Sequence, residues 1–260
     1  MKKQKNKSMW KNIRVVVLLT ILLIVAVNAF RDQNQNWNKP VIVLLHPISA
    51  DGLPSTEKYI QQLQLDDFAD VKLYLEQNSR QYRGKSSYFI LQIGRKLQQT
   101  PPEMSAQSSI LNNILWSLKF RYYSWKQHQS VDGSPSLTLY LNFYDPAQTK
   151  ELKHSTALER GRIGSVNLFA AKKQSKQNNV VLVHELLHGF GATDKYDLST
   201  GEPIFPIGYA QADKQPLYPQ TEAEIMGGSV PLSQHKSKMP DDLGQTVISV
   251  LTAQEIGWIK

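Results

Sequence analysis

The chain has 260 residues, 41% of them hydrophobic and 20% charged, which suits one packed domain or two and excludes a disordered or collagen-like chain. It has no cysteine, which excludes a disulfide framework, a thiolate metal site, an iron–sulfur cluster and a cysteine nucleophile. Any metal must therefore be held by His, Asp or Glu. The formal charge of +8 would ordinarily raise nucleic acid or an anionic membrane as partner.

That charge is unevenly placed. Residues 1–14 carry Lys2, Lys3, Lys5, Lys7, Lys11 and Arg14 without an acid, and residues 15–29 carry no charge. The remainder holds 24 basic and 22 acidic residues, so the body is close to neutral and a nucleic-acid partner loses its main support. A basic flank (1–14) before an apolar run (15–30) reads as an export signal or a single-pass anchor with its N-terminus in the cytoplasm. Sixteen residues rise only ~24 Å, marginal against a ~30 Å hydrocarbon core. Both forms place the body outside the cytoplasm: membrane-attached if the segment stays, periplasmic or secreted if it is cleaved.

Residues 31–39 are polar and read as a linker, and 40–260 as one α+β domain. Its first run, VIVLLHPI from Val41, suits a buried strand. A helix is predicted from Ser55 with Ser or Thr as N-cap, then short strands over 71–75 and 88–93, and a break at Thr100-Pro101-Pro102. Residues 108–127 have helical spacing, with Ile110, Ile114, Leu115, Leu118 and Tyr122 in one apolar series. Trp116, Phe120 and Tyr123 form a second, read as core. A turn at Gly133-Ser134-Pro135 precedes strands over 137–144 and 162–170. A polar loop over 172–179 leads to a helix over 180–190. An irregular stretch follows, with a closing helix within 241–260 capped by Thr252.

The helix over 180–190 carries HELLHGFGATD, His184 to Asp194. Histidines four apart share one helix face, so both imidazoles can bind one Zn²⁺ while Glu185 sits beside the open position as general base for a zinc-acidified water. Gly191 can adopt positive φ, end the helix and turn the chain back, bringing Asp194 within reach as third ligand. Asp197 is the nearest competitor, and Lys195 could pair with either carboxylate. Glu222 and Glu224, further on, define a runner-up metal site. His46, His128, His154 and His235 lack ligand spacing and read as surface or packing residues.

HELLHGFGATD resembles the extended zinc signature of the metzincin metallopeptidases, in the variant with a snapalysin-type aspartate as last ligand. Met226 in EIMGG, 32 residues past Asp194, resembles the methionine of the metzincin Met-turn. The stretches NNILWSLKFR, STALERGRIGSVNLFA, PIGYA, LYPQTEAEIMGG and TAQEIGW are similar to those of a set of bacterial exported metzincin-like proteins.

The resemblance implies a small twisted mixed sheet, an active-site helix and an irregular C-terminal subdomain ending in a helix. It further implies one catalytic Zn²⁺ on His184, His188 and Asp194, with Glu185 catalytic and a protein or peptide as substrate. The strand over 162–170 becomes the candidate edge that would hold an extended peptide. No tyrosine stands two places after Met226, where related enzymes steady the transition state, which leaves Tyr196 and Tyr209 as substitutes. The competing expectation is a non-catalytic exported binding or envelope protein that keeps zinc for structure, with Asp197 closing the coordination sphere. A latent form, with residues 31–60 over the cleft and Asp51 on the metal, is a third.

Overall fold

The computed structural model describes residues 3–104, 109–129, 135–159 and 161–260, so the turn expected at Gly133-Ser134 lies outside the described residues. A helix, α1 (Lys3–Gln33), precedes β1 (Val41–Ser49), α2 (Pro54–Gln61), α3 (Ala69–Arg83) and β2 (Phe89–Ile93). Then come α4 (Ile110–Lys126), β3 (Leu137–Tyr144), β4 (Thr156–Leu158), β5 (Ile163–Phe169) and α5 (Ser175–Gly189). One sheet of order β2-β1-β3-β5-β4 results, parallel except for β4, which runs antiparallel to β5.

A mostly parallel sheet needs cover on both faces, and strand alternation supplies it. Val41, Val43 and Leu45 of β1 join Leu137, Leu139, Leu141 and Phe143 of β3 in the main core, beneath α2, α3 and α5. The opposite face offers Ile48, Tyr140 and Ile163 to Phe120 of α4, in a smaller cluster with Leu97. Trp116 and Tyr123 pack on that cluster, as expected of core residues. Ile110, Ile114, Leu115, Leu118 and Tyr122, the other series on this helix, all face outward.

Several local expectations are corrected. Residues 71–75 are helical, because Val71, Tyr74 and Leu75 bury one helix face at i, i+3, i+4 spacing. In α2 no Ser or Thr caps the N-terminus: Leu53 is the cap residue, Pro54 opens the helix, and Thr56 donates to Asp51 Oδ2 at 3.0 Å. The polar loop expected over 172–179 is helical instead, a 3-10 turn over Lys172–Gln174 followed by the first five residues of α5. Its Asn178 and Asn179 are buried, with Asn178 Nδ2 donating to the Phe169 carbonyl and Asn179 Nδ2 to that of Asp67.

Residues 31–39 are not a free linker. Trp37 is buried between Phe190 and Trp258, its indole nitrogen donating to the Ile256 carbonyl at 3.0 Å. Asp32 at the end of α1 accepts from the Gly161 N–H through Oδ2 and from Arg162 through its carbonyl. The helix over Met9–Gln33, 25 residues, is long and apolar enough to cross a membrane; its most apolar 18-residue window has a mean hydropathy of 2.6 and none of that window is buried. That window rises ~27 Å, close to the hydrocarbon thickness, and the helix continues beyond it through Lys11 at one end and Arg31-Asp32 at the other.

After Gly191 regular structure is sparse: β6 (Ala223–Glu224) pairs with β9 (Thr246–Val247), and β7 (Val230–Ser233) with β8 (Lys236–Lys238). The closing helix α6 is short, Val250–Glu255, and Ser249 caps it by accepting from the Thr252 N–H. Thr252 lies inside the helix instead, with its hydroxyl donated to the buried Glu224 at 2.6 Å.

Candidate metal centre

The site begins with the burial of α5. Val180, Leu182, Val183, Leu186 and Leu187 are all in the main core, each stabilising by ~1.5–3 kcal/mol on apolar burial. That fixes the rotation of the helix and leaves His184 and His188 side by side at the margin of the core, their side chains 12% and 17% exposed. The helix ends at Gly189, and Gly191 takes φ +105°, a backbone conformation that glycine adopts without strain. Ala192 N then donates back to the Leu187 carbonyl at 3.1 Å, and the turned chain presents Asp194 to both histidines.

His184 Nε2 and His188 Nε2 lie 3.0 Å apart, and Asp194 Oδ1 is 3.2 Å from the first and 3.0 Å from the second. His184 Nδ1 faces the Ile225 carbonyl at 2.9 Å and His188 Nδ1 that of Ala192 at 2.7 Å. A carbonyl can only accept, so each Nδ1 carries the hydrogen and each neutral ring turns its Nε2 lone pair toward the cluster. Two lone pairs and a carboxylate oxygen converging within 3.2 Å repel one another unless a cation, a proton or a metal ion, sits among them.

The titration directions reflect this. Burial pulls the His184 pKa down, but its bond to Asp194 and the charge of Glu185 outweigh that and raise it. Burial works upward on Asp194 and the two imidazoles overcome it, holding the carboxyl well below its ordinary range. His184, Glu185 and His188 also place one ligand atom each within 4.8 Å of one another and could hold a metal ion. The triple containing Asp194 is the tighter of the two.

Glu185 is 5% exposed, and its Oε2 has no hydrogen-bond partner, while burial raises its pKa. A buried carboxylate oxygen left unpaired costs ~1–3 kcal/mol or more, and such sites are commonly functional. Glu185, His188, Asp194 and Tyr196 open onto a cleft of about 920 Å³. Residues 153–157 with the start of β4 form one border, and residues 100–104 with Trp116 form the other. The exposed edge is therefore β4, with β5 inside it, because residues 156–158 pair onto the strand expected to be the edge.

The remaining candidates resolve by their bonds. Asp197 Oδ1 accepts from Ser199 N at 2.8 Å, from the Ser199 hydroxyl and from Thr200 N in an exposed turn. Glu224 is fully buried and saturated by Met226 N, Gly227 N, Ser249 and Thr252, so it holds the turn at Ile225–Gly227. Glu222 accepts from Gln211. Met226 is buried in the main core, one residue past the carbonyl that orients His184. Tyr196 lies against His184, ring centroids 6.2 Å apart, with its hydroxyl in hydrogen-bonding reach of Asp194, whereas the Tyr209 hydroxyl is engaged with that of Tyr218 at 2.9 Å. Asp51 is bonded to Leu53 N, Thr56 and Asp145 N, far in role from the metal position proposed for a latent form.

Some functional neighbours carried no sequence signal. Lys195 pairs with neither Asp194 nor Asp197; it is fully buried and donates to Glu255 Oε2 at 2.8 Å. Glu255 also accepts from the Thr193 N–H and hydroxyl, so α6 clamps the loop that carries Asp194. His154, expected at the surface or in packing, lines the cleft. No protein-family model matches the chain, and no curated protein is significantly similar to it.

Proposed function

We propose that the chain is a zinc-dependent metallopeptidase of metzincin-like type, with His184, His188 and Asp194 as metal ligands and Glu185 as general base. The observation that carries the reading is the convergence of two Nε2 lone pairs and one carboxylate oxygen at 3.0–3.2 Å. Ligands ~2.05 Å from a tetrahedral zinc are about 3.3 Å from one another, so the spacing fits that ion, and the carbonyls at both Nδ1 atoms supply the usual outer support. The unpartnered Glu185 oxygen beside the triad supports the same fit.

When bound, zinc supplies Lewis acidity that polarises a carbonyl and acidifies a water. The protein's own groups do the rest. Glu185, raised toward neutrality by burial, takes the proton of the attacking water at its free Oε2 and returns it to the leaving amine. Tyr196, beside His184, donates its hydroxyl to the developing negative charge. The free edge of β4 offers backbone groups to an extended peptide lying in the cleft.

A zinc-keeping, non-catalytic protein would need a fourth protein ligand. Asp197, the expected one, is spent on its own turn. We propose a location outside the cytoplasm from α1, read as a single-pass anchor with its basic flank in the cytoplasm or as an export signal that is cleaved. The test is Glu185→Gln. Zinc content should be unchanged while peptide hydrolysis falls by on the order of 10²–10⁴-fold; full activity in that variant would refute the mechanism.

A further inference from the structure

The outward face of α4 has no counterpart in the two cores. Ile110, Leu111, Ile114, Leu115, Leu118, Tyr122 and Trp125 are all exposed, Ile110 by 82% and Trp125 by 72%. At 100° per residue these seven fall within an arc of about 140°, while Trp116, Phe120 and Tyr123 point the other way into the sheet. Leaving that arc in water is unfavourable, and an exposed apolar face of this size marks an interaction surface.

The helix also carries a charge pattern. Lys119, Arg121 and Lys126 are its only ionisable residues besides tyrosine, with no acid among its 17 positions. On the same projection Lys126 and Lys119 border one side of the apolar arc, whereas Arg121 falls within it near the other side, its guanidinium turned against Gly161. Cations flanking an apolar face that carries Trp and Tyr suit the headgroup layer of an anionic bilayer, where rings sit at the interface and basic chains reach phosphates.

Position gives the third argument. Gly161, at φ +108°, packs so closely on the Arg121 guanidinium that any side chain there would collide with it. The same Gly161 donates its N–H to Asp32 Oδ2, at the C-terminal end of α1. The C-terminal half of α4 therefore lies beside the point where α1 joins the body.

We infer that α4 is an interfacial helix that lies in the outer headgroup layer of the bilayer crossed by α1. It gives the body a second membrane contact and fixes the cleft's orientation to the surface. Residues 100–104, which form one border of the cleft, are tied to α4 through Trp116 Nε1 and the Pro102 carbonyl at 2.8 Å, so the cleft opens close to the lipid surface. This rests on the anchored reading of α1 and is independent of the hydrolase reading.

The chain's lack of cysteine allows single-site labelling. Full-length protein carrying an environment-sensitive fluorophore at Leu118→Cys, Leu22→Cys or Leu73→Cys is reconstituted in phosphatidylcholine vesicles with about 30% phosphatidylglycerol. Nitroxide-labelled lipids then quench from the headgroup or from deep in the acyl chains. The Leu118 probe should lose fluorescence chiefly to the headgroup quencher, the α1 probe at Leu22 chiefly to the deep one, and the exposed α3 probe at Leu73 to neither. A Leu118 probe that behaves like Leu73 overturns the proposal, whatever Leu22 does. An unquenched Leu22 probe would instead remove the anchor. A Leu118 signal that ignores the lipid quenchers and varies with protein-to-lipid ratio would assign the face to a second copy and also overturn it.

Discussion

At the scale of single residues, the metal centre divides carboxylates by what each already holds. Asp194 faces two imidazoles, whereas Asp197 caps its own turn and Glu224 is consumed by four donor residues. Asp194→Ala should weaken zinc binding by more than about 100-fold, judged by competition with a chromophoric chelator, since outer-sphere changes alone cost 10–100-fold. Asp197→Ala and Glu222→Ala should bind as the wild type does. The two tyrosines separate similarly. Tyr196→Phe should lower kcat by on the order of 10²-fold with KM little changed, the cost of one lost donor to a developing oxyanion. Tyr209→Phe, whose hydroxyl meets only Tyr218 among its hydrogen bonds, should leave kcat intact. Equal effects of the two would remove Tyr196 from its role.

At the scale of elements, α5 carries two of the proposed ligands, the loop after it carries the third, and α6 holds that loop. Glu255 on α6 is kept below the ordinary glutamate value of 4.5: burial works upward, and Lys195 and Thr193 outweigh it. A lowered folded pKa means that the clamp stabilises fully above the unfolded value and is lost as pH falls through the folded one. Glu255→Gln should therefore flatten the acid limb of the melting temperature below about pH 4.5 and weaken zinc binding roughly 10-fold. An unchanged acid limb would show that the clamp carries no stability. The motif on α5 was legible because both its chemistry and its periodicity are local. The clamp was not, since Glu255 lies 60 or more residues from its partners. Residues 71–75, inside the helix over 69–83, suit a short strand by sequence, and only the packing of Val71, Tyr74 and Leu75 on the core decides for the helix. Ser249 displaced Thr252 as cap for the same kind of reason, Thr252 being drawn to the buried Glu224.

At the scale of the whole molecule, the basic excess of the sequence belongs to the flank of α1, and the near-neutral body is tied back to that helix. Asp32 holds the Gly161–Arg162 turn, and Trp37 fills a pocket between Phe190, at the end of the metal-site helix, and Trp258. Trp37→Ala should destabilise the body by ~3–5 kcal/mol in denaturant titration, the usual cost of emptying a buried aromatic site; a loss below 1 kcal/mol would return residues 31–39 to the status of a linker. With α1 read as an anchor and α4 as an interfacial helix, the cleft is proposed to lie at a bilayer surface. Its chemistry depends on the three converging ligand atoms, and metal removal tests that dependence most directly. The purified full-length protein should contain one zinc per chain and cleave a mixed peptide library. A chelator should abolish both the metal signal and the cleavage, and added Zn²⁺ should restore them together. Cleavage that survives complete removal of the metal, or a chain that takes up no zinc at all, would contradict the account.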